Sequence, residues 1–202
     1  MQVIKEDKRR SIVRVATSHF KKYGFLKASM RDIAKEAGVG VGNMYNYFTS
    51  KDELFRVVVQ PVIDVAYAKL EEYHGVYRDI KDSLEPGFID YGSESMFQII
   101  KKNRMLLEIL FFKAQGSSLE HFDEEFTERS TECVLKWLDK NKDLHPEMNS
   151  NISRFSIHMQ SVFMFTLIRE MVMHRLQDDE IQKVLQEYYQ LEIFGWRELT
   201  RM

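Results

Sequence analysis

Residues 29–55, SMRDIAKEAGVGVGNMYNYFTSKDELF, constrain this chain more than any other stretch. Ser29 followed by Asp32 reads as a capping-box-like helix start: the hydroxyl satisfies a free backbone N–H and the acid suits the positive helix end. Ile33, Ala34 and Ala37 supply an apolar face narrow enough for close packing. Gly38 is placed to end that helix, because the left-handed backbone costs glycine nothing sterically. Gly40 and Gly42 surround the start of a second helix carrying Met44, Tyr45, Tyr47 and Phe48. Ser50-Lys51-Asp52-Glu53 is an S-x-x-E capping box that opens a long helix at Leu54-Phe55. Two short helices across a glycine-marked turn, then a capped long helix, are the layout of a helix-turn-helix, and that layout implies duplex DNA as partner.

The run Ser29 to Ala34, then Ala37-Gly38-Val39, Gly42 to Phe48 and Ser50 to Leu54 resembles the N-terminal domain of TetR-type transcriptional regulators. The preceding segment, with Ile12, Ala16, Phe20, Tyr23 and Gly24, resembles that family's first helix. Roughly a quarter of the chain carries the specific match; the rest resembles the family in length and helical character. The resemblance implies that Met30, Arg31, Val41, Gly42, Asn43, Tyr45, Tyr47 and Lys51 contact DNA. It also implies a homodimer, a near-palindromic operator and a small-molecule effector sensed in the C-terminal domain, with repression commoner than activation. The chain departs from the family pattern in having Gly40-Val41 where a polar pair such as Ser-Lys is common, and Asn43 where Thr is common. Val41 then suits a thymine methyl and Asn43 an adenine edge. Tyr45 and Tyr47 offer hydroxyls to phosphates, Arg31 suits a base or phosphate, and Lys51 sets a cation by the DNA backbone. For Arg31 and Lys51 the plain alternative is a solvated charge; for Tyr45 it is packing inside the small domain. Met44 and Phe48 read as core.

The formal net charge of the 202 residues is −2, which by itself argues against a generic nucleic-acid binder. Its distribution does not: residues 1–56 hold 12 Lys/Arg against 6 Asp/Glu, and residues 57–202 hold 17 against 25. A positive head on an acidic body is the footprint of one DNA-facing domain, although asymmetry of solvated faces produces the same tally. Lys5, Lys8, Arg9 and Arg10 form a basic N-terminal arm suited to the minor groove or to solvent. The single cysteine, Cys133, excludes an internal disulfide and a multi-cysteine zinc site, and reads as a packed thiol. The charged segment 5–10 is not followed by an apolar block of signal-peptide type, and the apolar clusters 105–112 and 161–168 are too short or interrupted to span a membrane. A cytoplasmic protein is expected.

Beyond residue 50 the pattern is helical, with three prolines in the whole chain and no sustained alternation. A helix is expected from about Lys51 to Tyr73, with Pro61 kinking it and Gly75 ending it. Further helices are expected near 87–101, 103–115, 119–141, 149–174 and 178–198. The expected fold is all-α, about nine helices: an N-terminal three-helix helix-turn-helix domain at 1–50 and a helical ligand-binding and dimerisation domain at 51–202. The last two helices are apolar over a wide arc, the 155–174 segment more than one core-facing stripe requires, which suits a four-helix interface with a second copy; the alternative is that all of it is monomer core.

The C-terminal region is rich in aromatics and methionines, which at helical spacing are usually core. A mostly apolar cavity with a few polar groups is the functional reading, and its candidate residues are Tyr67, Phe88, Tyr91, Phe111, Gln115, His158, Met159 and Phe163. Glu108, Arg154 and Gln160 are further polar candidates. Glu71-Glu72-Tyr73-His74 has the E-x-x-H spacing of di-metal bundles, but no second copy exists, so Glu71 and His74 read as solvated helix-end residues. No G-x-S-x-G, P-loop or H-E-x-x-H occurs, and no catalytic residue, metal or cofactor is expected. The rival to a DNA-binding regulator is a helical small-molecule-binding protein that has lost DNA binding.

Overall fold

The computed structural model describes residues 2–75 and 77–202, with side chains from residue 6 onward. Lys5 of the basic arm therefore lies outside the described side chains. Among the described residues the chain forms nine helices and no strand: α1 (Gln2–Lys27), α2 (Met30–Glu36), α3 (Val41–Met44), α4 (Lys51–His74), α5 (Ile80–Leu84), α6 (Gly87–Phe112), α7 (Phe122–Leu144), α8 (Arg154–Met173) and α9 (Asp178–Thr200). Among these residues no helix is long and apolar enough to cross a membrane.

The expected total of nine is met by a different set. Helices expected separately at 87–101 and 103–115 are one helix, α6. The Lys101-Lys102-Asn103 stretch contains no breaker, and the Asn103 amide donates back to the Ile99 carbonyl at 2.9 Å instead of capping a new start. The short α5 was absent from the sequence expectation. Its N-cap is Asp79, whose carboxylate accepts from the Lys81 N–H at 2.9 Å. α7 begins and ends three residues later than expected, and α8 begins five residues later, at the Ser153 cap.

Two compact units result, and they are not contiguous in sequence: residues 1–64 with 105–122, and residues 65–104 with 123–202. The first unit's leading segment runs on past residue 50 to residue 64, and α4 and α6 each run from one unit into the other.

The first unit closes over Ile12, Ala16, Phe20, Ile33, Ala34, Met44, Phe48, Leu54 and Phe55, all fully buried. Phe20, Phe25 and Phe55 meet edge to face or stacked, with centroids 5.0–6.3 Å apart. Gly24 interrupts α1 with φ 72°, and the Phe25 N–H that this frees donates to the Lys113 carbonyl at 2.8 Å.

The second unit has a core of Ile80, Leu84, Val134, Trp137, Leu138, Met148 and Ile157. Buried Asn141 organises it: its carbonyl accepts from the Ile80 N–H at 2.7 Å, and its amide donates to the Arg78 and Trp137 carbonyls. A buried amide is tolerated when its donors and acceptor are matched in this way.

Candidate nucleic-acid interface

Local chemistry builds the reading head. Ser29 caps α2, its hydroxyl accepting from the Asp32 N–H at 3.4 Å. After the Ala37 C-cap, Gly38 takes φ 66°; its N–H reaches the Lys35 carbonyl at 3.2 Å and that of Val39 the Ala34 carbonyl at 2.8 Å. This paired closure is a Schellman motif and satisfies the last carbonyls of α2. α3 is shorter than the sequence suggests: it ends at Met44, Tyr45 is its C-cap, and residues 45–47 form a turn. Gly40 offers no side chain to cap the start, so one turn is all that packing of Met44 and Phe48 holds in place.

That packing sorts the faces. Met44 and Phe48 are fully buried, as expected, while Val41 is 43% exposed and Tyr45 51%. Arg31, Gly42 and Asn43 are also exposed, whereas Met30 and Tyr47 are half-buried. Asn43 accepts a hydrogen bond from the Asn46 amide at 2.9 Å, which fixes its orientation on the outer face. Open space surrounds the Cα of Gly40 and of Gly42.

Lys51 is differently employed. Its amine donates to the carbonyls of Phe25, Leu26 and Ala28 at 2.7, 3.3 and 3.2 Å and lies 4.4 Å from the Phe25 ring centroid. It therefore ties the end of α1 to the start of α4. At that start Ser50 Oγ accepts from the Glu53 N–H at 3.0 Å, and the Glu53 carboxylate reaches past Ser50 to accept from the Thr49 N–H and hydroxyl at 2.6 and 2.7 Å. Those two bonds hold the Glu53 carboxyl below its usual range. Asp52 accepts from the Ser118 N–H and hydroxyl, both at 2.7 Å, binding residues 105–122 into the same unit. Sequence reading missed this contact because 66 residues separate the partners. Arg9 of the basic arm lies 5.0 Å over the Phe48 ring.

The eight effector candidates do not converge. Phe111 and Gln115 belong to the first unit and the other six to the second. Tyr67 packs on Phe126, with Arg129 over its ring; Phe88 packs against Tyr73, Tyr91 and Tyr189. His158 Nδ1 lies 3.3 Å from the Thr131 hydroxyl. Met159 and Phe163 are exposed on α8. Of the additional polar candidates, Arg154 pairs on the surface with Glu128 and Glu132, and Gln160 faces a small cavity.

Among the described residues the second unit contains a cleft and a smaller enclosed space. A cleft of about 730 Å³ runs along α6, lined among others by Val65, Tyr91, Ser95, Gln98 and Ile99. Tyr91 donates to Glu72, which also pairs with Lys69 at 2.6 Å. A smaller space of about 40 Å³ lies among α4, α7, α8 and α9, where His74, Gln160, Ser161, Tyr188, Glu192 and Trp196 meet. His74 is not the solvated helix-end residue its position suggests. Its ring stands edge-on to Trp137 at 5.2 Å, its Nδ1 is out of solvent, and burial, with the Arg78 charge, lowers its pKa to about 4. Burial pushes the Glu192 carboxyl up, although Trp196 Nε1 donates to it at 3.1 Å. The i, i+4, i+8 spacing of Tyr188, Glu192 and Trp196 was the available sequence signal. Cys133 donates to the His74 carbonyl, and burial raises its thiol pKa, which is the state of an inert packed thiol.

A family model, "Bacterial regulatory proteins, tetR family", matches residues 12–58, which span the reading head. The HTH-type transcriptional regulator YfiR of Bacillus subtilis is 25% identical over 172 residues, covering 76% of this chain and 77% of its own. An HTH-type transcriptional regulator of Staphylococcus aureus is 25% identical over 166 residues, covering 80% and 83%. Among solved structures, the fatty acid degradation regulator FadR of Bacillus halodurans shares the fold with a TM-score of 0.65 at 16% identity, covering 92% of this chain and 98% of that one. A ketosteroid transcriptional regulator of Mycobacterium tuberculosis gives 0.60 at 16%, covering 93% of each.

Proposed function

We propose that this chain, which is a TetR-type transcriptional regulator, is a homodimeric repressor acting in the cytoplasm, released from or driven onto its operator by a small molecule bound in the second unit. The observation that carries the DNA reading is the sorting of the short α3. Its apolar residues, Met44 and Phe48, are spent on the core, Val41, Gly42, Asn43 and Tyr45 are left outward, and Arg31 on α2 is exposed as well. That face offers a methyl contact, an amide for an adenine edge, a phenol for a phosphate and a guanidinium. Met30 and Tyr47 are half-buried, and Lys51 ties the start of α4 to the carbonyls at the end of α1.

A second copy follows from α8 and α9. Each helix buries one side, yet Phe155 and Leu191 are 71% exposed, with Met159, Phe163 and Phe194 also outward. Apolar surface of this density on adjacent turns is the mark of a partner surface. Paired α8–α9 faces from two copies make a four-helix interface with self-complementary contacts. Two reading heads then match a near-palindrome with half-sites about one DNA turn, roughly 34 Å, apart. A ligand that prefers one arrangement of the second unit shifts the population of dimers with the right spacing. α4 and α6 run through both units and are the rods that carry such a change. The fatty acid and ketosteroid regulators that share this fold make an apolar effector in the α6 cleft one concrete option.

The test is fluorescence anisotropy against DNA from upstream of the chain's own gene, across a salt series, with scrambled DNA beside it. Saturable binding stronger than to scrambled DNA, weakening steeply with salt, is expected. Gly42→Ala has open space for its methyl, so it should leave the thermal midpoint unchanged and lower operator affinity. Val41→Ala and Asn43→Ala should shift the preferred operator. Equal binding to all DNA, or none, across a genomic fragment library would favour a ligand-binding protein without an operator.

A further inference from the structure

α3 is a weak platform for a base-reading side chain. It has four residues, Gly42 lies within it, and Gly40 gives its start no side-chain cap. Glycine adds backbone freedom, and a single turn does not hold itself. Met44 and Phe48 anchor the inner side. Asn46 ties the outer side. It follows α3 in the turn 45–47 and is exposed. Its backbone N–H donates to the Asn43 backbone carbonyl at 3.1 Å, and its side-chain amide to the Asn43 side chain at 2.9 Å. Among the described residues neither side chain has a second hydrogen-bond partner. The tie does not depend on which amide donates: with both turned over, Asn43 donates and Asn46 accepts. A primary amide has two N–H groups and two lone pairs. Asn43 spends one of these four on Asn46 and keeps at least one N–H and one lone pair, the two groups that meet adenine N7 and N6.

We propose that Asn46 is a positioning residue for base reading: it holds the Asn43 amide in one outward orientation before DNA arrives. This inference rests on the DNA reading above, with Asn43 as a base contact. A side chain that is ordered only on binding loses a factor of about two to ten in affinity to its rotamer freedom. One already held by its neighbour escapes that loss. Holding also sharpens rejection. Against a wrong base a free side chain swings back to water, whereas a held amide is left unpaired. Asn46 therefore acts on discrimination at the base pair that Asn43 reads, and much less on affinity for DNA as a whole.

The experiment uses the full chain to select its preferred duplex from a randomised library, then reads anisotropy on that duplex and on its single base-pair variants. Asn43→Ala is expected to flatten the preference at one base pair of each half-site by about tenfold or more. Asn46→Ala should flatten the preference at that same pair by about two- to tenfold and leave the ranking of bases elsewhere unchanged. In the Asn43→Ala background the effect of Asn46→Ala should vanish. Asn46→Leu, of nearly the same size and without hydrogen-bonding groups, serves where Asn46→Ala fails to fold, and should give the same pattern. An effect at a different base pair, or one that persists with Asn43 removed, overturns the proposal and makes Asn46 a base contact in its own right. An equal loss on every duplex overturns it by making Asn46 a prop for α3, and unaltered preference in both variants overturns it outright. A wild type that prefers no duplex rejects the DNA reading and this inference with it; a wild type that prefers one duplex while Asn46 fails these tests rejects the inference alone.

Discussion

Lys51 shows how one side chain couples sequence pattern to shape. The S-x-x-E motif places it in the first turn of α4, and the fold turns its amine onto three carbonyls at the end of α1. Lys51→Met keeps the stem and removes the charge, and should cost about 1–2 kcal/mol in urea denaturation through lost charge-assisted bonds and the Phe25 contact. A loss of operator affinity larger than that fold effect would show that the amine also reaches DNA. His74 gives a second expectation. Its pKa falls from 6.5 to about 4 on folding, so between those values the unfolded chain binds a proton that the folded chain refuses. Stability therefore declines as pH drops from about 6.5 to 4, by up to roughly 3 kcal/mol, and is restored above that window. Denaturant midpoints from pH 7.5 to 4 should show the slope in wild type and lose part of it in His74→Gln. Nothing in the local pattern warns of this burial, because His74 closes a polar E-E-Y-H run whose outward look depends only on local spacing. By contrast Met44 and Phe48 were legible as core, since their positions on a short amphipathic turn leave no other buried face.

At the scale of elements, capping chemistry was readable and helix continuity was not. Ser29, Gly38 and Ser50 act through neighbours within five residues, so their roles follow from the local sequence. α6 runs unbroken through Lys101-Lys102-Asn103 because a polar triplet stops a helix only when its side chains find a better partner than the preceding turn. The same long-range dependence hid the α6 packing. A methyl on Gly92 would press on the Tyr189 ring of α9, within 3 Å of its carbons. Gly92→Ala should destabilise the second unit by about 1–3 kcal/mol. In hydrogen exchange the loss of protection should appear in α9 and the 87–100 part of α6; protection equal to wild type there would mean that Tyr189 swings aside freely.

For the whole molecule, the wide apolar arc of α8 was read correctly as more than one core needs, since Phe155, Met159 and Phe163 stay outward after the unit is packed. Phe194→Glu, at a site 60% exposed, should leave the helical signal and midpoint of the isolated chain intact. It should move the sedimentation coefficient from a dimer's toward a monomer's and weaken operator binding by at least about tenfold, because one head then binds without its twin. What no local pattern reveals is that residues 105–122 fold with the first unit, held by Phe25 to Lys113 and Asp52 to Ser118. Exchange of reading heads between relatives is therefore not a matter of cutting at residue 50. A grafted head inherits its host's 105–122 segment as a foreign floor, and only hosts with a carbonyl facing the Gly24 bend and a hydroxyl facing Asp52 would accept it. The head and the rest of the chain are in this sense inherited together, because the backbone passes three times from one unit to the other.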